Sequence, residues 1–97
     1  MATYILLATY TEQGVKGVKD TVKRTGTVRD MARKAGLAMK ESYWTLGAYD
    51  VVALFEAPDD ETMTAFALSV ARLGNVKTQT LRAFSAEEMG GILAKLG

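Results

Sequence analysis

The pattern of apolar and polar positions predicts four β-strands. The four segments are rich in β-branched and aromatic residues and span residues 3–10, 37–46, 49–57 and 75–84. The first and third are apolar on both sides, which is typical of central strands that are covered on both faces. The second carries Lys40, Glu41 and Ser42, and such polar positions are typical of an edge strand.

A long helix is predicted between the first two strands, over residues 15–35. Its inward stripe is made of small and β-branched side chains at steps of three and four: Val15, Val18, Val22, Thr25, Val28 or Arg29, and Ala32. Gly36 marks its C-terminal end. Gly17 and Gly26 each weaken this helix by about 1 kcal/mol relative to alanine, and any break or bend is expected near Gly26.

Two further helices follow the third and fourth strands. Asp59 stands where an N-cap is expected, and Gly74 closes the helix that it begins. Ser85 and Glu88 have the spacing of a capping box, which predicts a short last helix. The apolar stripe of that last helix is Met89, Ile92, Leu93 and Leu96.

Gly47 and Ala48 stand between the second and third strands, and glycine in the first position predicts a two-residue type II′ hairpin. In that register Trp44 faces Val51 and Tyr43 faces Val52. Because side chains alternate along a strand, the register predicts two sets. One side holds Tyr43, Thr45, Asp50, Val52 and Leu54, and the other holds Trp44, Tyr49, Val51, Ala53 and Phe55.

The order of elements predicts an α+β, ferredoxin-like βαββαβ domain over residues 1–97, with an added C-terminal helix. Right-handed crossovers would place two helices on one face of a four-stranded antiparallel sheet. The other face would then expose apolar side chains of the first and third strands. We therefore expect the last helix to cover part of this face and a second subunit to cover the rest, giving a homo-oligomer.

The composition limits the kinds of catalytic and metal site that the chain can form, because the chain has no cysteine and no histidine. These absences exclude disulfides, thiolate nucleophiles, zinc–thiolate sites and histidine-based triads. The sequence also lacks glycine-rich phosphate-binding loops, so no nucleotide, metal or other cofactor is expected.

Charge is unevenly distributed along the chain. Residues 1–40 hold eight basic and three acidic residues, a net charge of +5, whereas residues 41–97 hold four basic and eight acidic residues, a net charge of −4. Seven of the early basic residues fall in the first predicted helix, where Asp20 and Arg24 are spaced for an i,i+4 ion pair. Two interpretations stay open: a solvated helix face, or a site for a phosphate or carboxylate partner.

Several stretches together resemble the GYD domain family. They are residues 4–7 with Thr11 and Gly14, Lys19-Asp20 with Arg24, residues 43–50, residues 56–60 and residues 74–84. The motif that names the family appears here as Gly47-Ala48-Tyr49-Asp50, with one alanine between the glycine and the tyrosine. The resemblance covers nearly the whole chain, implies an architecture similar to the dimeric α/β-barrel proteins, and specifies no reaction.

A looser likeness is to the effector-binding domain of the Lrp/AsnC regulators. That domain also has a Gly-x-Tyr-Asp hairpin between its second and third strands, and the likeness implies small ligands held at subunit interfaces. No helix-turn-helix segment precedes the first strand here, so we expect no nucleic-acid partner.

Six residues are candidates for ligand binding: Tyr43, Trp44, Gly47, Tyr49, Asp50 and Arg82. Asp50 is also the weak candidate for a catalytic base, because aspartate is uncommon in strands; alternatively its carboxylate accepts backbone N–H groups at the hairpin or faces Thr45. The aromatic residues could line a pocket, or belong to a core or an interface. Arg82 could bind an anion, with pairing to Glu41 or Glu56 as the alternative.

Three functions stay open. The first is an oligomer that binds a small anionic or aromatic molecule on the sheet face or at a subunit interface near the Gly47–Asp50 hairpin. The second is a cofactor-independent oxygenase or isomerase, and the third is a structural or protein-interaction module. We rank the first ahead.

The location of the protein is also an expectation from the sequence. The first residues lack the pattern of a signal peptide, and the longest apolar run, residues 51–55, is too short to span a bilayer. We therefore expect a cytoplasmic protein without a membrane partner.

Overall fold

A computed structural model describes all 97 residues and contains one four-stranded antiparallel sheet. In chain order the elements are β1 (Ala2–Tyr10), α1 (Glu12–Lys16), α2 (Thr21–Lys34), β2 (Ala38–Trp44), β3 (Val51–Ala57), α3 (Asp60–Arg72), β4 (Val76–Ala83) and α4 (Ala86–Leu93). The strands lie in the order β2-β3-β1-β4, so β1 and β3 are central. The predicted ferredoxin-like α+β class is confirmed.

The first helical segment is broken, and the break lies at Gly17 and not near Gly26. Helix α1 begins after Thr11, whose side chain accepts a hydrogen bond from the Gly14 N–H, and ends at Gly17. One 3-10 turn, Val18–Asp20, then leads into α2. Gly26 lies inside the continuous helix α2, so the prediction of one helix over residues 15–35 is wrong at its start.

This break changes which side chains face the sheet. Val15, Val18 and Val22, which the predicted stripe placed inward, are 54%, 40% and 68% exposed. A single unbroken helix would have kept the register of that stripe, whereas the extra turn after Gly17 rotates α2. The inward residues of α2 are Thr21, Thr25, Val28 and Ala32, again at steps of three and four.

The hairpin register is confirmed, but the predicted two-residue turn is wrong. Tyr43 pairs with Val52 and Trp44 with Val51. The strands stop there, and residues 45–50 form a wider loop in which the Thr45 N–H donates to the Asp50 carbonyl at 2.9 Å. Gly47 lies inside this loop with a φ of 125°, a conformation that L-residues rarely adopt.

The hydrophobic core lies between the sheet and the helices α2 and α3. It contains thirteen buried residues: Tyr4, Leu6, Ala8, Ala32, Leu37, Met39, Ala53, Phe55, Ala57, Met63, Phe66, Ala67 and Val70. The rings of Phe55 and Phe66 meet with centroids 5.2 Å apart at an angle of 57°. Such tilted pairs add about 0.5–1.5 kcal/mol beyond the burial of their area.

The opposite sheet face, here called the open face, has no helix packed on it. Its apolar side chains are Ile5, Leu7, Val52, Leu54 and Leu81, which are half-buried or exposed. Helix α4 buries none of its own residues, so it does not act as the cover that the sequence led us to expect. The radius of gyration is 14.6 Å, against about 12.5 Å for a compact domain of this length.

Gly14 is the tightest point of the fold, since a Cβ there would lie 1.9 Å from the carbonyl oxygen of Asn75. We expect Gly14→Ala to force α1 away from the α3–β4 connection and to lower the free energy of unfolding by about 1–3 kcal/mol. Urea denaturation followed by circular dichroism measures the change.

Gly26→Ala is the matched control, because no atom lies within 4 Å of a Cβ added at Gly26. Alanine is the better residue inside a helix, so this variant is expected to gain about 0.5–1 kcal/mol. Equal stability of the two variants would contradict the close approach at Gly14.

Candidate functional site

Asp50 links the hairpin to the end of β1. Its carboxylate accepts the Tyr10 N–H at 2.8 Å, and its own N–H donates to the Ala8 carbonyl at 2.9 Å. These two bonds continue the pairing of β1 with β3 beyond Val51, where the regular ladder stops. The Asp50 carboxylate therefore satisfies the Tyr10 N–H, which has no backbone acceptor on β3 because the regular ladder has ended.

The three aromatic residues of the hairpin do not form one pocket. Trp44 lies on the helix-covered face, where its Nε1–H donates to the Thr21 hydroxyl at 3.0 Å. Tyr43 lies on the open face, where its hydroxyl donates to Glu41 at 3.3 Å. Tyr49 also reaches the open face and donates to Gln79 at 3.0 Å.

The prediction that Tyr49 shares a side with Trp44 is therefore wrong. It assumed that strand alternation continues through position 49, whereas the loop over residues 45–50 interrupts it.

Arg82 lies at the other end of the sheet from the hairpin. It pairs with Tyr4, six residues along β1 from Tyr10, which corresponds to about 20 Å. Its guanidinium carbon is 5.6 Å from the ring centroid of Tyr4 and 4.5 Å from that of Phe84, and its Nη2 lies 3.5 Å from a carboxylate oxygen of Glu88. The structure thus separates Arg82 from the other candidate residues.

The predicted pairing of Arg82 with Glu41 or Glu56 is wrong because the faces differ. Glu41 and Glu56 lie opposite Leu54 and Thr3, on the open face, whereas Arg82 shares the helix-covered face with Tyr4. Glu56 forms an ion pair with Lys40 at 3.8 Å instead.

Tyr4 holds the start of α3 against the sheet. Its hydroxyl donates a hydrogen bond to a carboxylate oxygen of Asp60, in the first turn of α3. This bond, together with burial and the negative charge of Asp60, raises the pKa of Tyr4 to about 12. The cluster of Tyr4, Asp60, Arg82 and Glu88 joins four elements, β1, α3, β4 and α4, at this end of the molecule.

A cavity of about 290 Å³ lies under α2, on the helix-covered face next to the hairpin. Its floor is the sheet, with Leu6, Ala8, Val51, Ala53 and Phe55. Its walls come from Thr25 and Val28 of α2, Val70 of α3 and neighbouring side chains. The cavity is partly open to solvent, which gives a small molecule a route to it.

Three polar side chains meet beside this cavity. The Thr21 hydroxyl, on the first residue of α2, lies 2.9 Å from the Tyr10 hydroxyl and accepts the Trp44 Nε1–H. Trp44 therefore connects the hairpin to the cavity, and β1, β2 and α2 are held together at one point.

Arg24 also lines the cavity. Its Nη2 donates to the carbonyls of Gly14 and Gly17 at 3.0 and 3.1 Å, and the predicted pair with Asp20 does not form.

Sequence reasoning missed this cavity. The spacing of Thr21, Thr25 and Val28 indicates which side of α2 faces the sheet. This spacing can be recognised only when α2 is known to begin after the turn that follows Gly17. A cavity also depends on the distance between a helix and the sheet, which periodicity does not specify.

No group of three or more carboxylates lies close enough together to hold a metal ion. None of the helices has the length and apolar character that crossing a membrane requires.

Comparison with known proteins gives a consistent result. The family model described as GYD domain matches residues 4–93. A Thermus thermophilus protein described as glutamine synthetase and cystathionine beta-lyase binding protein is 33% identical over 90 residues, which cover 92% of this chain and 95% of that protein.

Two solved structures are similar in fold. TTHA0845 from Thermus thermophilus has a TM-score of 0.59 at 25% identity, over 89% of this chain and 96% of that one. FFRP-DM1 has a TM-score of 0.64 at 17% identity, over 87% of this chain and all of that one.

The Tyr4–Asp60 bond predicts a pH dependence. Because the pKa of Tyr4 is about 12 in the folded state and 10.0 ordinarily, the protonated hydroxyl stabilises the fold fully below about pH 10. That stabilisation is lost as the pH rises from about 10 towards 12. We expect a tyrosinate absorbance step near pH 12 that Tyr4→Phe removes.

The control is Tyr43→Phe, which changes an exposed tyrosine bonded only to Glu41. It is expected to leave the step near pH 12 in place. If Tyr4→Phe leaves that step unchanged, the assignment to Tyr4 is incorrect.

Proposed function

Because this chain belongs to the GYD domain family, we propose that it is a self-associating module that binds a small molecule in the cavity under α2. The cavity beside Trp44 is the observation that carries this proposal. The sequence led us to expect a ligand on the sheet face near the hairpin, whereas the site proposed here lies behind the hairpin, under α2.

The size and lining of the cavity support a small-molecule ligand. Its volume, about 290 Å³, is near the lower end of the range for ligand pockets and equals that of roughly ten water molecules in the liquid. Eleven of its seventeen lining residues are hydrophobic, so water gains few hydrogen bonds there. An apolar ligand that displaces such water is favoured by the hydrophobic effect.

The open face supports self-association. Leu7, Val52 and Leu54 lie side by side on neighbouring strands, with Ile5 and Leu81 beside them. A second copy that places its own open face against this one would remove these side chains from water, at roughly 25 cal/mol per Å² of apolar area. Two-fold pairing of identical faces is the commonest form of homo-oligomer.

Native mass spectrometry of the purified protein tests both parts of the proposal. We expect a mass that is a multiple of the 10.5 kDa chain, with a retained small molecule that dissociates on collisional activation. Leu7→Glu is expected to produce monomers, because it places a charge in the centre of the open face. Ala53→Leu is expected to keep the subunit number and lose the small molecule, because it fills the floor of the cavity.

Leu68→Glu is the matched control for Leu7→Glu, since Leu68 is a 65% exposed leucine on α3. It is expected to leave the subunit number unchanged. A monomeric wild-type chain would reject the self-association. A small molecule retained equally by the wild type and Ala53→Leu would place its site outside the cavity.

A second candidate function is the binding of an enzyme. The Thermus thermophilus relative is described as binding glutamine synthetase and cystathionine beta-lyase. If this chain shares that property, α4 is the surface that the fold offers, since its side chains Met89 and Leu93 are 43% and 53% exposed. The Ser85–Glu88 capping box and the Arg82–Glu88 ion pair hold the start of this helix in place.

Sedimentation velocity with purified glutamine synthetase tests this second function. Binding through α4 predicts a complex that Met89→Glu and Leu93→Glu abolish, while Leu68→Glu on α3 leaves it intact. The absence of a complex at micromolar concentrations of both proteins would reject this function for glutamine synthetase.

A further inference from the structure

We infer that the ligand of the cavity under α2 is a small organic acid, with an aromatic or aliphatic body in the cavity and its anionic group at Arg24. This inference rests on the proposed small-molecule binding and adds the chemical class of the ligand. The observation behind it is that Arg24, which lines the apolar cavity, has no carboxylate partner.

Arg24 carries a half-buried positive charge that no acid of the chain neutralises. The four ion pairs of the structure are Lys16–Glu12, Arg33–Asp30, Lys40–Glu56 and Arg82–Glu88. A guanidinium group has five N–H donors, and the hydrogen bonds of Arg24 both come from Nη2. Donors and charge therefore remain for an anion, and charge-assisted bonds to carboxylates are among the strongest in proteins.

The position of Arg24 is fixed before any ligand arrives. Its Nη2 donates to the carbonyls of Gly14 and Gly17, and the Gly17 carbonyl also accepts the Asp20 N–H at 3.0 Å. An arginine that is already ordered loses little side-chain entropy when an anion binds. The same helix break that rotates α2 thus also supplies the acceptors that orient Arg24.

The other polar groups beside the cavity do not compete for this role. The Thr21 hydroxyl, the Tyr10 hydroxyl and the Trp44 Nε1–H are bonded to one another. Asn75 accepts a hydrogen bond from the Gln13 side chain. Arg24 is the only charged residue among the seventeen that line the cavity.

The charge around the cavity favours an anion as well. Helices α1 and α2, with the turn between them, carry seven of the twelve basic residues of the chain, and Lys23 precedes Arg24 directly. The nearest acids in sequence, Asp20 and Asp30, do not pair with Arg24, and Asp30 is bonded to Arg33 at 3.3 Å. Such a basic surface raises the local concentration of anionic ligands.

Two probes with the same aromatic body test the inference. One is 1-anilinonaphthalene-8-sulfonate, which is anionic, and the other is N-phenyl-1-naphthylamine, which is neutral. The chain has a single tryptophan, Trp44, beside the cavity, so energy transfer from Trp44 to either probe reports binding near this site. Affinities are measured by titration of the full-length protein with each probe.

We expect the anionic probe to bind about tenfold more tightly than the neutral one. Arg24→Gln is expected to remove this preference by weakening the anionic probe about tenfold while leaving the neutral probe unchanged. Lys23→Gln removes the same charge from the exposed side of α2 and is expected to change neither affinity by more than about twofold. Arg24→Lys, which keeps the charge, is expected to retain part of the preference.

The opposite results overturn the inference and distinguish it from the proposed function. If the wild type binds the two probes with equal affinity and Ala53→Leu lowers both affinities, the cavity is a ligand site but the ligand class of organic acids is rejected. An equal loss of both probes in Arg24→Gln would assign Arg24 to the support of the fold. If Ala53→Leu leaves the energy transfer from both probes unchanged, then the cavity does not bind them and the proposed function fails with the inference.

Discussion

The close contact of α1 with the α3–β4 connection determines much of the rest of this structure. Gly14 lies against the Asn75 carbonyl, which also accepts the Thr11 N–H, and the Thr11 hydroxyl donates to the Gly74 carbonyl. These bonds hold α1 against the α3–β4 connection, and the chain turns at Gly17 before α2 begins. The direction of α2, the cavity under it and the position of Arg24 all follow from that turn.

The hairpin and the cavity are linked by the same set of hydrogen bonds. Asp50 completes the bonding of β1 where the ladder ends, and this leaves Tyr10 in position to meet Thr21. Trp44 reaches the same threonine from β2. The residues that looked like a single aromatic cluster in the sequence therefore connect the sheet to the helix layer, and the space that they border is the candidate site.

A four-stranded sheet with both long helices on one side has unequal faces. The helix-covered face holds the core, whereas the open face keeps apolar side chains that a monomer leaves partly in water. The far end of the sheet is organised by Tyr4, Asp60 and Arg82, which tie α3 and α4 to β1. The molecule thus has three separate candidate binding regions. They are the cavity under α2, the apolar open face of the sheet and the exposed apolar side chains of α4.

The order of the elements, the fold class, the hairpin register and the capping box at Ser85 could all be predicted from the sequence. These features depend on periodicity and on residues that are close in the chain, such as Ser85 with Glu88 and Trp44 with Val51. Four features could not be predicted in this way and required the folded structure: the break at Gly17, the partners of Arg82 and Asp50, the face of Tyr49 and the cavity under α2. Each of these depends on distances between segments far apart in the chain, as with Gly14 and Asn75, and a one-dimensional pattern does not contain those distances.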